Sequence, residues 1–389
     1  MHHNCEIKIA AVVSYKIYPA HFGGQKGIAL FYQYLATLTN VQLYTVKDNV
    51  ADTSGIFIHH VLKSSFFKYV NIFAFFSIKK LVIAHQITHL IIEHPYLGWL
   101  GYLLKKYCGI AIIIHSHNIE ALRFKSTKKW WWKILWQYEK WVHQQADTNF
   151  FITQEDLNYA ITNYDINENR CFVITYGTEL KEIPTACTKQ IAKTEICAKH
   201  KIKINEKILF FNGTLNYLPN QNAIDFIVHQ LNPILKDLNS FLYKIIICGK
   251  DLPIHYNNLS TYENVIYTGF VSDITTYFLG ADVFLNPVVD GGGIKTKLVE
   301  ALGYNLSTVS TKSGAIGVPP IIAGKKLIIV DDNDAKAFAS ALSILNVNEN
   351  TEAAFFNKFY WGNIAKKALD IIRLTPTPIA KMQEKILPK

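Results

Sequence analysis

Short apolar runs recur along the chain, separated by stretches with helical spacing. In the first half they are "IKIAAVV" (7–13), "VQLYTV" (41–46), "GIFIHH" (55–60), "THLIIEH" (88–94), "GIAIIIH" (109–115), "TNFFIT" (148–153) and "CFVITY" (171–176). Runs of this length, rich in Ile and Val, predict strands. Most are continuous rather than alternating, which predicts burial on both faces and hence parallel sheets with helical crossovers. "QKGIALFYQYLATL" (25–38) and "YLGWLGYLLKKY" (96–107) predict the clearest of those helices.

Residues 177–205 interrupt the rhythm with mixed charge and no sustained period, as an interdomain linker would. The alternation then restarts with strands expected at 207–213, 243–249, 264–269, 282–287, 306–311 and 326–331. Helices are expected over 218–235, with Pro219 in the first turn, and over 332–345, opened by an Asp/Asn cap. The expectation is an α/β protein of two doubly wound, Rossmann-like domains, 1–180 and 206–350, joined by a linker at 181–205. C-terminal helices in 351–389 are expected to pack back toward the first domain. Ligand sites should lie at the carboxyl ends of the strands, facing a cleft between the domains.

Composition narrows the class. Half of the 389 residues are apolar and 18% are charged, which suits a packed globular chain. The six cysteines form no C-x-x-C pair, arguing for a reducing compartment and against a zinc site. No run reaches the roughly 18 apolar residues of a membrane span, and the N-terminal apolar run is too short for a signal-peptide core. A soluble, cytoplasmic protein is therefore expected.

The net charge of +10 is concentrated early: residues 1–150 hold 16 Lys+Arg against 7 Asp+Glu. Within them, residues 124–145 interleave Lys125, Lys128, Lys129, Lys133 and Lys140 with Trp130, Trp131, Trp132, Trp136 and Trp141. Such a segment suits an anionic membrane surface, so peripheral attachment to the inner face of a membrane is one expectation. An ordinary helix that buries Trp132, Trp136 and Tyr138 is the other. No nucleic-acid-binding signature is present, and none is expected to bind.

Candidate chemistry centres on "DGGGIKTKLVEALG" (290–303), after the apolar "ADVFLNPVV". It imitates a P-loop without being one, because Ile294 separates Gly293 from Lys295. Glycines between a strand and a helix start still let backbone N–H groups approach an anion. Glu300 lies on a different helical face from Leu298 and Leu302, where a carboxylate can accept from ribose hydroxyls. A second such junction, "FFNGTLNYLPNQNAIDFI", places Gly213, Thr214 and Asn216 directly after a strand.

The ordered series "FFNGTLNYLPNQNAIDFI", "IIICGKD" and "NVIYTGFVSDITTYFLGADVFLNPVVDGGGIKTKLVEALGYNLSTVSTKSGAIGV" resembles the donor-binding half of glycosyltransferase family 4, retaining enzymes of the GT-B fold. "YPAHFGGQKGIALFYQYLA", "HSHNIEALRF" and "VITYGTEL" are similar, more loosely, to segments of the family's first half. The resemblance implies that Gly24, Gly213, Thr214, Asn216, Phe270, Val271, Gly291, Gly292 and Gly293 bind the donor, and this sequence's own loop adds Asp290, Ile294 and Lys297 to that set. Of these, Gly213, Thr214 and Asn216 would face the diphosphate and Phe270 and Val271 the base. Glu300 would be the ribose ligand. On the other side it implies His117 beside the sugar and acceptor, supported by Glu120 and Arg123, with Gly23 and His115 near. His94 is a lesser candidate with a packing role.

Two departures matter. The family's first glutamate falls on Gly292, where Asp290 or glycine amides would have to substitute. The family's Arg/Lys pair is absent after Gly213, so Lys295 and Lys297 become candidates to neutralise the leaving diphosphate. The chemistry implied is retaining sugar transfer from a nucleotide diphosphate sugar to a sugar or lipid-linked acceptor hydroxyl, in cell-surface polysaccharide or glycolipid synthesis. No metal and no further cofactor are expected. A nucleotide-sugar-binding protein that keeps the fold without turnover is the alternative. A dinucleotide-dependent dehydrogenase is disfavoured, because no G-x-G-x-x-G follows either domain's first strand.

Overall fold

The computed structural model describes residues 6–20, 23–50 and 55–377. The chain forms two compact units, Met1–Tyr176 with Trp361–Lys389, and Gly177–Tyr360. Residues 378–389, the end of the helical segment expected over 351–389, lie outside the described residues.

The first unit is built on β1 (Ile9–Val13), β2 (Val41–Val46), β3 (Ile56–Leu62), β4 (His89–Glu93), β5 (Ala111–Ser116), β6 (Thr148–Phe151) and β7 (Cys171–Val173). They form one parallel sheet in the order β3-β2-β1-β4-β5-β6-β7. Helices α1 (Gly23–Ala36), α2 (Phe73–Ala84), α3 (Gly98–Cys108), α4 (Glu120–Ser126), α5 (Trp132–Gln145) and α6 (Gln154–Tyr164) make the crossovers. Local chemistry sets their ends. The α3 helix stops at Gly109, left-handed at φ 67, after Lys105 and Lys106 in its last turn. At the start of α6, Thr153 accepts from the Asp156 N–H at 3.1 Å. One face of the sheet packs on α2, α3 and α5 through Ile78, Val82, Leu100, Leu104 and Val142.

The second unit begins with α7 (Ala186–His200), inside the span that reads as a linker. Thr185 caps it by accepting from Thr188 N–H, and its short apolar stripe, Ala192, Ile196 and Cys197, is buried. Three closely spaced small apolar positions are too few to stand out against the surrounding lysines. The sheet follows with β8 (Lys207–Asn212), β9 (Tyr243–Cys248), β10 (Val265–Gly269), β11 (Val283–Asn286), β12 (Ser307–Thr311) and β13 (Leu327–Val330), all parallel in the order β10-β9-β8-β11-β12-β13.

The helix expected over 218–235 is α8 (Leu218–Asp225) and α9 (Asn232–Leu238), joined by a π-helical turn at Phe226–Leu231. Pro233, at the start of α9, has no N–H to close the regular ladder, which accounts for the widened turn. Then come α10 (Thr275–Gly280), α11 (Thr296–Gly303), α12 (Pro320–Ala323), α13 (Ala335–Ile344) and α14 (Ala353–Phe359).

The last helix, α15 (Trp361–Leu374), belongs to the first unit. It buries Trp361, Ile364, Ala368, Leu369 and Ile372 and packs on α1. His89 Nε2 lies 2.8 Å from Thr375 O, and Lys367 Nζ donates to Val173 O at 3.0 Å.

The strand order reverses between β1 and β4 in one sheet and between β8 and β11 in the other. Open parallel sheets bind ligands beyond the carboxyl ends of the strands at such reversals. Both candidate clusters stand there.

Candidate active site

At the reversal in the first unit, β4 ends on Glu93, a wholly buried carboxylate that follows the apolar Leu90, Ile91 and Ile92. Three donors converge on it. Tyr32 from α1 donates to Oε1 at 2.5 Å, His115 Nδ1 lies 3.0 Å from Oε1, and His117 Nε2 lies 2.6 Å from Oε2. Burial alone would push Glu93 up, but His115 and His117 outweigh it and hold the carboxyl well below its ordinary range. An ionised carboxylate only accepts, so the imidazole nitrogens facing it carry protons. Burial and the neighbouring His115 lower His117, which is therefore neutral at pH 7 with its other nitrogen, Nδ1, as an acceptor.

The next residue, His94, has φ 63 and ψ 155, a conformation that side chains disfavour. Its ring is clamped: Nε2 lies 2.8 Å from Tyr15 OH, Nδ1 lies 3.2 Å from Glu120 Oε1, and the His117 ring packs against it, tilted, at 4.7 Å. Glu120, at the start of α4, accepts from Tyr96 OH at 2.6 Å and from Arg123 Nε at 2.7 Å. Burial would raise Glu120, yet His94, Arg123 and Tyr96 hold it down at about 2. Glu139 of α5 accepts from the N–H groups of Glu120 and Ala121 at 3.0 and 2.9 Å, fixing the start of α4. Burial pushes Glu139 itself up to about 7.

The ligand atoms of Glu93, His115 and His117 lie within 4.8 Å of one another, close enough to consider a metal. Both Glu93 oxygens already accept hydrogen bonds, from Tyr32, His115 and His117. Arranged in this way, the cluster is a hydrogen-bonded network around one buried carboxylate.

At the reversal in the second unit, Gly213 and Gly249 end adjacent strands so closely that a Cβ on Gly249 would lie 2.0 Å from Gly213 O. Asn220 donates to Thr214 O at 2.8 Å, shaping the turn after β8. After β11, Gly291 and Gly293 take φ 87 and 67, conformations glycine adopts without cost. Beneath the loop, Asn286 donates to Ser310 Oγ at 2.8 Å and Gly314 O at 3.0 Å, and Thr311 donates to Val288 O at 2.8 Å. This knot is buried and ties β11, β12 and the loops after them together. Lys297 Nζ lies 2.9 Å from the largely buried Glu300 carboxylate on α11.

Residues 23–182 match the profile Glycosyltransferase Family 4, and residues 206–347 match Glycosyl transferases group 1. The chain belongs to glycosyltransferase family 4. No curated protein matches this glycosyltransferase by sequence. Solved structures match it along nearly its whole length. A glycosyltransferase from Rickettsia africae is 17% identical with TM-score 0.70, over 95% of this chain and 98% of that one. HepE from Anabaena, crystallised with UDP-glucose, is 12% identical with TM-score 0.69, over 94% and 99%. WaaG, a glycosyltransferase involved in lipopolysaccharide biosynthesis, is 14% identical with TM-score 0.60, over 98% and 100%. These likenesses establish the GT-B α/β fold.

Within the transferase, His115, His117, Glu120 and Arg123 gather in one cluster of the first unit, while Gly23 and Gly24 open α1. In the second unit, Asp290 accepts from Asn222 at 2.7 Å and Lys295 Nζ turns onto Gly291 O at 2.9 Å. Lys297 faces Glu300, Phe270 is exposed, and Val271 packs partly against the core. Sequence reasoning passes over Glu93, Tyr15, Tyr32, Tyr96 and Glu139, and the Asn286, Ser310, Thr311 knot. One signal was available: Glu93 follows the apolar "LII" at a strand end, where an unpartnered carboxylate would be costly.

Proposed function

We propose that this glycosyltransferase moves a sugar from a nucleoside diphosphate sugar to an acceptor hydroxyl with retention of anomeric configuration. The observation that carries the reading is the β11–α11 junction, where left-handed glycines at a strand reversal open onto a helix that holds the buried Glu300. Amides of residues 291–293 and the Gly213 turn bind the diphosphate, and Glu300 takes the ribose hydroxyls once Lys297 turns to the phosphate. In the step, the bond from the anomeric carbon to the diphosphate breaks, a bond to the acceptor oxygen forms, and the acceptor proton leaves to the diphosphate. Neutral His117, oriented by Glu93, offers Nδ1 to a hydroxyl of the reacting sugars.

The likeness to HepE bound to UDP-glucose and to WaaG supports a nucleotide-sugar donor and a sugar or lipid-linked acceptor of cell-surface polysaccharide or glycolipid. We place the reaction at the cytoplasmic face of a membrane. Charge on the leaving group is met by amides and lysines, so transfer should survive a chelator, and loss of turnover in EDTA would refute that part. Thermal-shift screening against uridine and guanosine diphosphates and their sugars tests the donor reading. At least one should raise the melting temperature of the wild type and leave Glu300→Ala unmoved. Equal shifts in both proteins would remove Glu300 from the site.

A further inference from the structure

Residues 66–83 carry an apolar surface that the glycosyltransferase reading leaves unexplained. Phe66, Phe67, Val70, Phe73 and Phe76 are each more than 60% exposed. Phe66 and Phe67 stand on the short helical turn Phe66–Tyr69, Val70 follows it, and Phe73 and Phe76 lie on the outer face of α2, whose inner face buries Phe75, Ile78 and Val82 in the core. The α2 helix is thus apolar on both sides, and an exposed aromatic patch of this kind marks an interaction surface.

Charge selects the partner. From residue 53 to residue 92 the sequence contains no Asp or Glu, while Lys63, Lys79 and Lys80 fall among the aromatic residues; Lys68 is buried, and the acid that reaches this face is Asp48, which accepts from Ser64 Oγ at 3.2 Å. Lys80 is exposed on the outer face of α2, beside Phe73 and Phe76. Lys79 Nζ lies 5.7 Å from the Tyr107 ring, itself largely exposed. A second copy docked through the same patch would oppose these lysines to themselves across a two-fold axis. A bilayer with anionic lipid accepts both halves of the surface, taking the rings at headgroup depth and the ammonium groups at the phosphates.

We propose that the face formed by residues 66–83 docks on an anionic membrane surface. The Trp/Lys segment, which composition marks first, offers less. Trp131, Trp132, Trp136 and Trp141 are half-buried, and Trp136 donates to Tyr159 OH at 3.0 Å, leaving Trp130 as the exposed ring among its tryptophans. The proposal fits a lipid-linked acceptor but does not rest on the transfer reading.

The test is flotation of the full chain with liposomes of phosphatidylcholine alone and with added phosphatidylglycerol. Wild type should float with the anionic vesicles only and be released by high salt. Phe73→Ser with Phe76→Ser should weaken that binding at least about tenfold, since each ring removes its own share of buried area. Lys80→Glu should weaken it less, and Trp130→Ser least. All should melt as wild type does, because the altered side chains stand outside the core. Wild type that stays unbound, or the Phe73, Phe76 variant floating like wild type, would overturn the proposal. So would a lipid-free dimer that this variant dissociates, which would give the face to a second copy.

Discussion

His117 Nε2 lies 2.6 Å from Glu93 Oε2, and the same carboxylate holds His115 through its other oxygen. One buried charge thus sets the tautomer and orientation of two adjacent strand-end imidazoles. Glu93→Gln keeps the shape but offers an N–H where an acceptor is needed. It should lower kcat by about 100-fold with little change in KM for the donor, and shift the pH profile. Steady-state kinetics across pH 5 to 9 would check this. A rise in KM alone would reduce Glu93 to a packing role.

Glu120 predicts a pH dependence of stability. Its folded value, about 2, lies below the ordinary 4.5, so its contribution is full above pH 4.5 and is lost as pH falls toward 2. The difference corresponds to about 3 kcal/mol at neutral pH. Denaturant unfolding should find Glu120→Gln destabilised by an amount of that order at pH 7, with the gap to wild type narrowing at pH 3. A gap independent of pH would contradict the assigned cause.

The backbone of His94 predicts an inversion of the usual order of substitutions. At φ 63 and ψ 155, alanine keeps the strain that glycine releases. His94→Gly should be more stable than His94→Ala by about 1 kcal/mol or more, although glycine normally costs stability. Both should lose activity, because the ring that packs on His117 is gone. Thermal melts of the two variants decide it; equal or reversed stabilities would mean an unstrained backbone.

Gly249→Ala should be severely destabilising, by about 3 kcal/mol or more, because the new Cβ meets the Gly213 carbonyl, which cannot swing aside. Gly24→Ala meets no heavy atom within 4 Å and should melt like wild type. Comparable melting of the two variants would refute the close approach of β8 and β9.

All thirteen described strands were legible in the sequence, most of them as continuous apolar runs because burial on both faces leaves an unbroken Ile/Val signal, with the edge strand β3 and the Ser/Thr-rich β12 as exceptions to that cause. The glycine turn between β11 and α11 was legible as a glycine run between a strand and a helix start. Helix α7 was not, since its buried stripe is short and lies among lysines. Nor was the network around Glu93. It joins Tyr32, Glu93, His115 and His117 from three separate elements, and only the strand order β1-β4-β5 brings them together. The Asn286, Ser310 and Thr311 knot was hidden for the same reason.

Release of nucleoside diphosphate from a panel of uridine and guanosine diphosphate sugars tests the central claim most directly. Wild type should release it from at least one donor, faster with acceptor-containing extract, while His117→Ala and Glu300→Ala fall by about 100-fold or more. A wild type that binds the nucleotide yet releases none from any donor, with or without extract, would contradict transfer and leave a binding protein.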